Sequence, residues 1–287
     1  MNFLSGVMRI AYLGPGGSYC EMAKDKFLDM YDFYPAEEPL NMISRVINFV
    51  DENPNTVGVI PLENSVEGTV RESSDTLIAT KNPNIRILSE VIVPINHCLL
   101  SKVTELYSIT GVISHPQALA QCHNFISTQL PMNLAIVKAS STADAARSLD
   151  AYNLTYSAIG SKKTAQLYNL NIVCENINDD PTNQTRFALI GDFETEPTGN
   201  DKTSIAFSTE NKSGALLEVL EIFSKYSINL SYIDSRPSKT KFGEYVFHVD
   251  FDGHVKDEIV KNAVYEIQEK SNFFRFVGSY AKYKPIF

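Results

Sequence analysis

The sequence predicts an α/β protein: alternating strands and helices on mainly parallel sheet, followed by a smaller ferredoxin-like βαββαβ unit. Three observations point there. From Met8 to about Gly191, short β-rich runs are followed by polar turns and then, in most cases, by helical patterns, which is the rhythm of βαβ units. Beyond an acidic stretch containing proline and glycine, the order changes to strand, helix, two strands, helix, strand. The 287 residues, 44% hydrophobic and 21% charged, suffice for two ordinary globular domains.

In the first region strands are expected at residues 9–13, 57–60, 111–113, 134–137 and 156–159, and helices at 19–28, 116–129, 142–149 and 162–168. Ligands of such sheets collect at the carboxyl ends of the strands. The polar turns that should lie there are Gly14-Pro15-Gly16-Gly17-Ser18, Pro61-Leu62-Glu63-Asn64-Ser65, Ser114-His115-Pro116-Gln117 and Lys138-Ala139-Ser140-Ser141-Thr142. Any one hydroxyl or imidazole reads as a helix cap. Four such turns on one sheet edge read as a shared anion site, because free N–H groups and the helix dipole both favour negative charge.

Residues 192–201 are acidic and read as a linker, giving domains at 8–192 and 203–287 joined by 193–202. In the second domain strands are expected at 203–208, 229–235, 244–250 and 273–280. Helices are expected at 213–226, with Leu216, Leu217, Leu220 and Phe223 on one face, and at 255–271. Two helices cover one face of such a sheet, so the bare face is expected to pair with another copy of the chain.

A net charge of −9 argues against nucleic acid, which requires a basic face. It also means that positive potential at an anion site must be built locally. Cys20, Cys98, Cys122 and Cys174 show neither zinc spacing nor a disulfide framework, so reduced thiols in a cytoplasmic protein are expected. No apolar run approaches the ~20 residues of a membrane span, and residues 1–8 lack a basic region and cleavage site. The turn at Gly14 is no dinucleotide fingerprint, since Tyr19 stands where its third glycine would be. His97, His115 and His123, beside Cys98 and Cys122, read as packing or capping residues rather than metal ligands. Arg186, in Asn183-Gln184-Thr185-Arg186-Phe187, is read as functional because a guanidinium fork suits a carboxylate and few other cations lie near the polar turns.

Taken together, Gly14-Pro15-Gly16-Gly17-Ser18-Tyr19, Pro61 to Gly68, Ser114 to Cys122, Ser141-Thr142-Ala143 and Thr185-Arg186-Phe187 resemble prephenate dehydratase in order and spacing. The C-terminal region, with Gly214-Ala215-Leu216-Leu217 and Asp234-Ser235-Arg236-Pro237, is similar to the ACT domain that accompanies it. The resemblance implies a two-lobed catalytic region with an interlobe cleft, crossed by strands near 86–93 and 96–100. It implies decarboxylating dehydration of prephenate to phenylpyruvate without cofactor or metal. Thr185 would be catalytic, and Ser18, Glu63, Asn64, Ser65, His115, Gln117, Ser141, Thr142, Arg186 and Phe187 would bind substrate. Phenylalanine would act as effector at Asn211, Gly214, Ala215, Leu216, Asp234, Ser235 and Arg236, in a homodimer or homotetramer joined through ACT domains. Ser18, Cys20, Ser213 and Asp234 stand where the family more often has threonine, serine, proline and glutamate. No fused chorismate mutase segment is expected. The rival readings are the same chemistry on arogenate and a two-lobed ligand-binding protein without catalysis.

Overall fold

A computed structural model describes residues 4–238 and 243–284. The first lobe contains β1 (Arg9–Leu13), α1 (Tyr19–Tyr31), β2 (Ala36–Leu40), α2 (Ile43–Glu52), β3 (Thr56–Asn64), β4 (Gly68–Thr69), α3 (Arg71–Ala79) and β5 (Arg86–Pro94). The chain crosses into a second lobe as β6 (Cys98–Ser101), β7 (Gly111–Ser114), α4 (Pro116–Gln121), α5 (His123–Gln129) and β8 (Ala135–Lys138). That lobe continues with α6 (Thr142–Ser148), β9 (Tyr156–Gly160), α7 (Lys162–Leu167) and β10 (Asn171–Cys174). A second crossing returns the chain as β11 (Gln184–Gly191), inserted between β3 and β5.

Each sheet has a parallel centre with antiparallel strands beside it. In the first, β2, β1 and β3 are parallel, and β11 runs against both β3 and β5. In the second, β8, β7 and β9 are parallel, while β6 opposes β9 and β10 opposes β6. The double crossing is the cause: β5 carries the chain out of the first lobe and β11 carries it back.

Three local departures from expectation matter for the site. The strand expected at 57–60 runs on to Asn64, so residues 61–64 form a ladder with β11 rather than a turn. Proline has no N–H for that ladder, and the register shifts opposite Pro61, between Arg186 and Phe187. The helix expected over 116–129 is two short ones, because buried Cys122 leaves helical geometry at φ −120° and ψ 23°. Finally, α2 joins the expected set, its Ile43, Val46, Ile47 and Val50 forming one buried stripe in the first lobe.

The C-terminal unit is β12 (Asp201–Ser208), α8 (Ala215–Lys225), β13 (Leu230–Pro237), β14 (Tyr245–Asp252), α9 (Glu258–Glu269) and β15 (Phe273–Ala281), with sheet order β13-β14-β12-β15. Val219, Phe223, Ala263 and Ile267 from the two helices pack on Ile205, Phe207, Val249 and Phe251. The opposite sheet face is not left for another copy, which corrects that expectation. Its Ala206, Val277 and Tyr280 share a core with Leu77, Ile85 and Ile87 of the first lobe. An apolar face needs a cover, and the chain's own first lobe is the cover here. β15 lies so close to β5 that a Cβ on Gly278 would stand 2.3 Å from the Ile87 carbonyl oxygen. The segment between β11 and β12 is held down as well: Phe193 packs on the first-lobe core and Lys256 pairs with Glu194 and Glu196. No helix among the described residues is long and apolar enough to cross a membrane.

Candidate active site

Side chains alternate along β11, so Thr185 and Phe187 share one face and Arg186 takes the other. The Thr185 face looks into a cavity of about 310 Å³ between the lobes. From the first lobe come Ser18 and Tyr19 at the start of α1 and Asn64 at the end of β3. The second lobe supplies His115, Gln117 and Gln121 around α4, and Ser140, Ser141 and Thr142 before and within α6. His97, from the first crossing, completes the wall.

Capping and lining are the same residues. Ser18 Oγ accepts from the Glu21 N–H at 3.2 Å, Ser141 Oγ from Asp144 at 2.9 Å, and His115 Nδ1 from Gln117 at 3.3 Å. These bonds satisfy one donor of each helix start and leave the first N–H groups of α1 at the cavity edge, where the helix dipole is positive.

Among the described residues, no lysine, arginine, aspartate or glutamate lines the cavity. Burial keeps its titratable groups neutral as well. It lowers His97 to about 4, raises the Tyr19 hydroxyl well above its ordinary value, and pushes the Cys20 thiol up to about 12. A buried thiol of that kind is no nucleophile at neutral pH. An anion placed in this cavity would meet dipoles and hydrogen bonds alone.

Thr185 is 7% exposed and directly opposite Asn64 in the ladder. Asn64 Nδ2 donates to Thr185 Oγ1 at 2.9 Å. With that lone pair engaged, the hydroxyl proton is available to a group in the cavity.

Of the residues expected to bind substrate, Ser18, Asn64, His115, Gln117, Ser141, Thr142 and Phe187 line the cavity beside Thr185. Glu63, Ser65 and Arg186 do not. Arg186 projects from the opposite face of β11 toward the C-terminal unit, where Nη1 donates to Asp250 Oδ2 at 2.8 Å and Glu90 Oε2 at 3.3 Å. Glu63 is its cross-strand partner and lies 3.5 Å from its Nε. Ser65 precedes no helix; its Oγ accepts from the Gln184 N–H at 3.0 Å. The physical reason is one of parity: once β3 extends through Asn64 and pairs with β11, Glu63 and Arg186 must face away from Asn64 and Thr185.

Tyr19, His97, Gln121 and Ser140 line the cavity in addition, and Asn183 lies just behind it. Tyr19, Gln121 and Ser140 stand within the sequence's polar turns and motifs, but only the two crossings bring them together with His97. His97 is buried, as a packing histidine should be, yet it also faces the cavity. Its neighbour Cys98 points into the second-lobe core.

The residues expected to hold an effector divide between two sides of β13. Gly214, at φ 83°, caps α8, Ala215 is buried, and Asn211 and Ser235 are exposed. Asp234 and Arg236 alternate with Ser235, and Arg236 Nη1 donates to Asp234 Oδ1 at 2.6 Å.

A family model described as prephenate dehydratase matches residues 10–195. The chain belongs to the prephenate dehydratase family. A second model, for the ACT domain, matches residues 203–268. The chain is 39% identical to the prephenate dehydratase of Methanocaldococcus jannaschii, over 97% of this chain and 98% of that protein. It is 37% identical to the bifunctional chorismate mutase/prephenate dehydratase of Aquifex aeolicus, over 96% of this chain and 74% of that protein. The crystal structure of prephenate dehydratase in complex with L-Phe from Arthrobacter aurescens superposes with a TM-score of 0.86 at 33% identity. That match covers 96% of this chain and 90% of the other.

Proposed function

We propose that the chain converts prephenate to phenylpyruvate, carbon dioxide and water in phenylalanine biosynthesis, under feedback by phenylalanine at its ACT domain. The observation that carries the reading is the Thr185 hydroxyl, its oxygen engaged by Asn64, facing a cavity without charged side chains between two lobes. The ring carboxylate leaves as carbon dioxide, and the electrons of the broken C–C bond enter the ring. They expel the hydroxyl at the opposite ring carbon, which takes up one proton and departs as water. Thr185 donates the hydrogen bond that eases that departure and relays the proton.

An uncharged cavity suits this chemistry. A cation held against the ring carboxylate would stabilise the reactant's negative charge, which is lost on forming neutral carbon dioxide. The Ser141 hydroxyl, with the start of α1, holds the dianion while leaving that carboxylate weakly stabilised.

The effector reading extends to a second copy of the chain. Leu217 (58% exposed), Ile233 (47%) and Tyr245 (46%) present apolar surface on the C-terminal unit, beside exposed Ser235, and suit a homodimer or homotetramer joined there. A cytoplasmic location accords with four free cysteines, Cys20, Cys98 and Cys122 buried and Cys174 partly so.

The test is purified protein with prephenate at neutral pH, following phenylpyruvate with and without phenylalanine, alongside light scattering. Turnover suppressed by phenylalanine in an oligomer supports the whole reading. Turnover of arogenate but not prephenate would reassign the substrate, and tight binding without turnover of either would reassign the chain as a ligand-binding protein.

A further inference from the structure

Thr185 stands at the end of an unbroken run of side-chain hydrogen bonds that spans both lobes, and one fixed point orients its amides. Asn64 Oδ1 accepts from the backbone N–H groups of Val66 at 3.0 Å and Glu67 at 2.9 Å, which only the carbonyl end of the amide can do. Its Nδ2 therefore faces Thr185 Oγ1 at 2.9 Å and Asn183 Oδ1 at 2.7 Å. Because Asn183 Oδ1 is an acceptor, its Nδ2 is the end that donates to Gln121 Oε1, 3.0 Å away. Gln121 then turns Nε2 toward Glu67 Oε1 at 3.3 Å. The same Gln121 Oε1 lies 3.3 Å from His97 Nε2, so that nitrogen carries the ring proton. His97 Nδ1, left as acceptor, lies 3.2 Å from the Tyr19 hydroxyl, which also has the Asn96 carbonyl 2.8 Å away, so its one proton serves one of the two. Asn183 is 2% exposed and His97 2%, so water does not replace these partners.

We infer that Asn183, Gln121 and His97 are positioning residues which, through Asn64, hold Thr185 with its hydroxyl proton aimed at the departing group. The Asn64 amide has two protons and three acceptors in reach, the third being the Gln184 carbonyl at 3.2 Å. Asn183 takes one proton and so leaves the other for Thr185. Removing that acceptor frees the amide to tilt, and Thr185 loses its fixed direction. The run joins β3, both crossings and α4, so Thr185 is set only while the lobes hold this relation. This inference rests on the dehydratase reading for its substrate, and its test separates the two.

Asn183→Leu is similar in volume and leaves the cavity lining unchanged. It is expected to lower kcat on prephenate by about 10- to 100-fold, within the range of positioned acid–base groups, with KM within about threefold. Gln121→Glu keeps the acceptor for Asn183 and His97 but adds a negative charge. It also sets a second carboxylate against Glu67 Oε1 and is expected to raise KM for the dianion, whereas Gln121→Leu, which removes the acceptor of Asn183, is expected to lower kcat by about tenfold or more with KM within about threefold. A merely structural role would instead lower the unfolding midpoint of Asn183→Leu and Gln121→Leu with kcat unchanged, and that result overturns the inference. If Asn183→Leu does not fold, Gln121→Leu decides.

An independent readout is the ¹⁵N spectrum of the His97 ring, assigned by comparison with His97→Asn. A neutral ring protonated on Nε2 is expected at pH 7, and protonation on Nδ1 overturns the inference. Wild-type protein that fails to turn over prephenate would count against the reaction instead, and the His97 tautomer would still decide the network.

Discussion

The two faces of β11 solve opposite electrostatic problems with neighbouring residues. On one, Thr185 and Phe187 look into a cavity lined by amides, hydroxyls and neutral imidazoles. On the other, Arg186 enters a dense cluster of charge: Asp250 (1% exposed), Glu90, and Lys202, whose Nζ donates to Glu90 Oε2 at 2.9 Å. Burial alone would drive Asp250 up, but Arg186, with help from His248, Ser204 and Lys202, holds it below the ordinary carboxylate range. Ser204 Oγ donates to Asp250 Oδ1 at 2.6 Å, and the Tyr283 N–H donates to Glu90 Oε1 at 3.2 Å. The charges that a sequence reading would assign to the substrate are spent on docking the ACT domain. The difference teaches that a cation beside a catalytic residue in sequence can belong to another interface altogether.

Thr185→Val should break the cavity face most severely. Turnover is expected to fall by ~10²–10⁴ with the unfolding midpoint unchanged, measured by steady-state kinetics and thermal denaturation. A loss below about tenfold, short of that scale, would remove Thr185 from the chemistry.

Arg186→Met should break the other face. It strands Asp250 and Glu90 without their guanidinium partner and is expected to destabilise the protein by about 3–5 kcal/mol, measured in denaturant. KM for prephenate should change far less than stability, the reverse of what a substrate-binding arginine would give. A large KM increase in stable protein would return Arg186 to the cavity.

The neutral histidine of the cavity face has a pH signature. The unfolded imidazole titrates near 6.5 and the folded one at about 4, so the unfolded state binds more protons between those values. Stability is therefore intact above pH 6.5 and is lost as pH falls toward 4, by about 3 kcal/mol for this one group. His97→Asn should flatten that part of the stability–pH curve relative to wild type; an unchanged slope would mean that His97 is not buried neutral.

The smallest expected effect sharpens the dual use of the caps. Ser141→Ala removes the acceptor for the Asp144 N–H and should cost about 1 kcal/mol of stability. If Ser141 serves only as a cap, KM for prephenate will not move, whereas a rise in KM shows that the hydroxyl also meets substrate.

Much of this was legible in the residues. The βαβ rhythm, the βαββαβ order and the polar turns at Ser18, His115 and Ser141 follow from local periodicity and capping chemistry, which act over a few residues. That Arg186, Glu63 and Ser65 lie outside the cavity is not legible in the sequence, because their directions depend on where β3 ends and what it pairs with, and residues 61–64 read equally well as a turn. Gln121 stands within the Ser114 to Cys122 motif and Asn183 beside Thr185, yet nothing local pairs them with each other or with His97, since the partners are 24 and 62 residues apart.

By itself, the sequence determined the fold class and the polar turns whose residues cap the helices beside the cavity. Only the tertiary structure decided which of them share a cavity. Strand parity at Thr185 and Arg186 is set by a ladder whose members lie 121 residues apart at the Asn64–Thr185 contact. Periodicity carries information along the chain for a few turns, while the pairing of distant strands is settled by burial and by the ladder's hydrogen bonds.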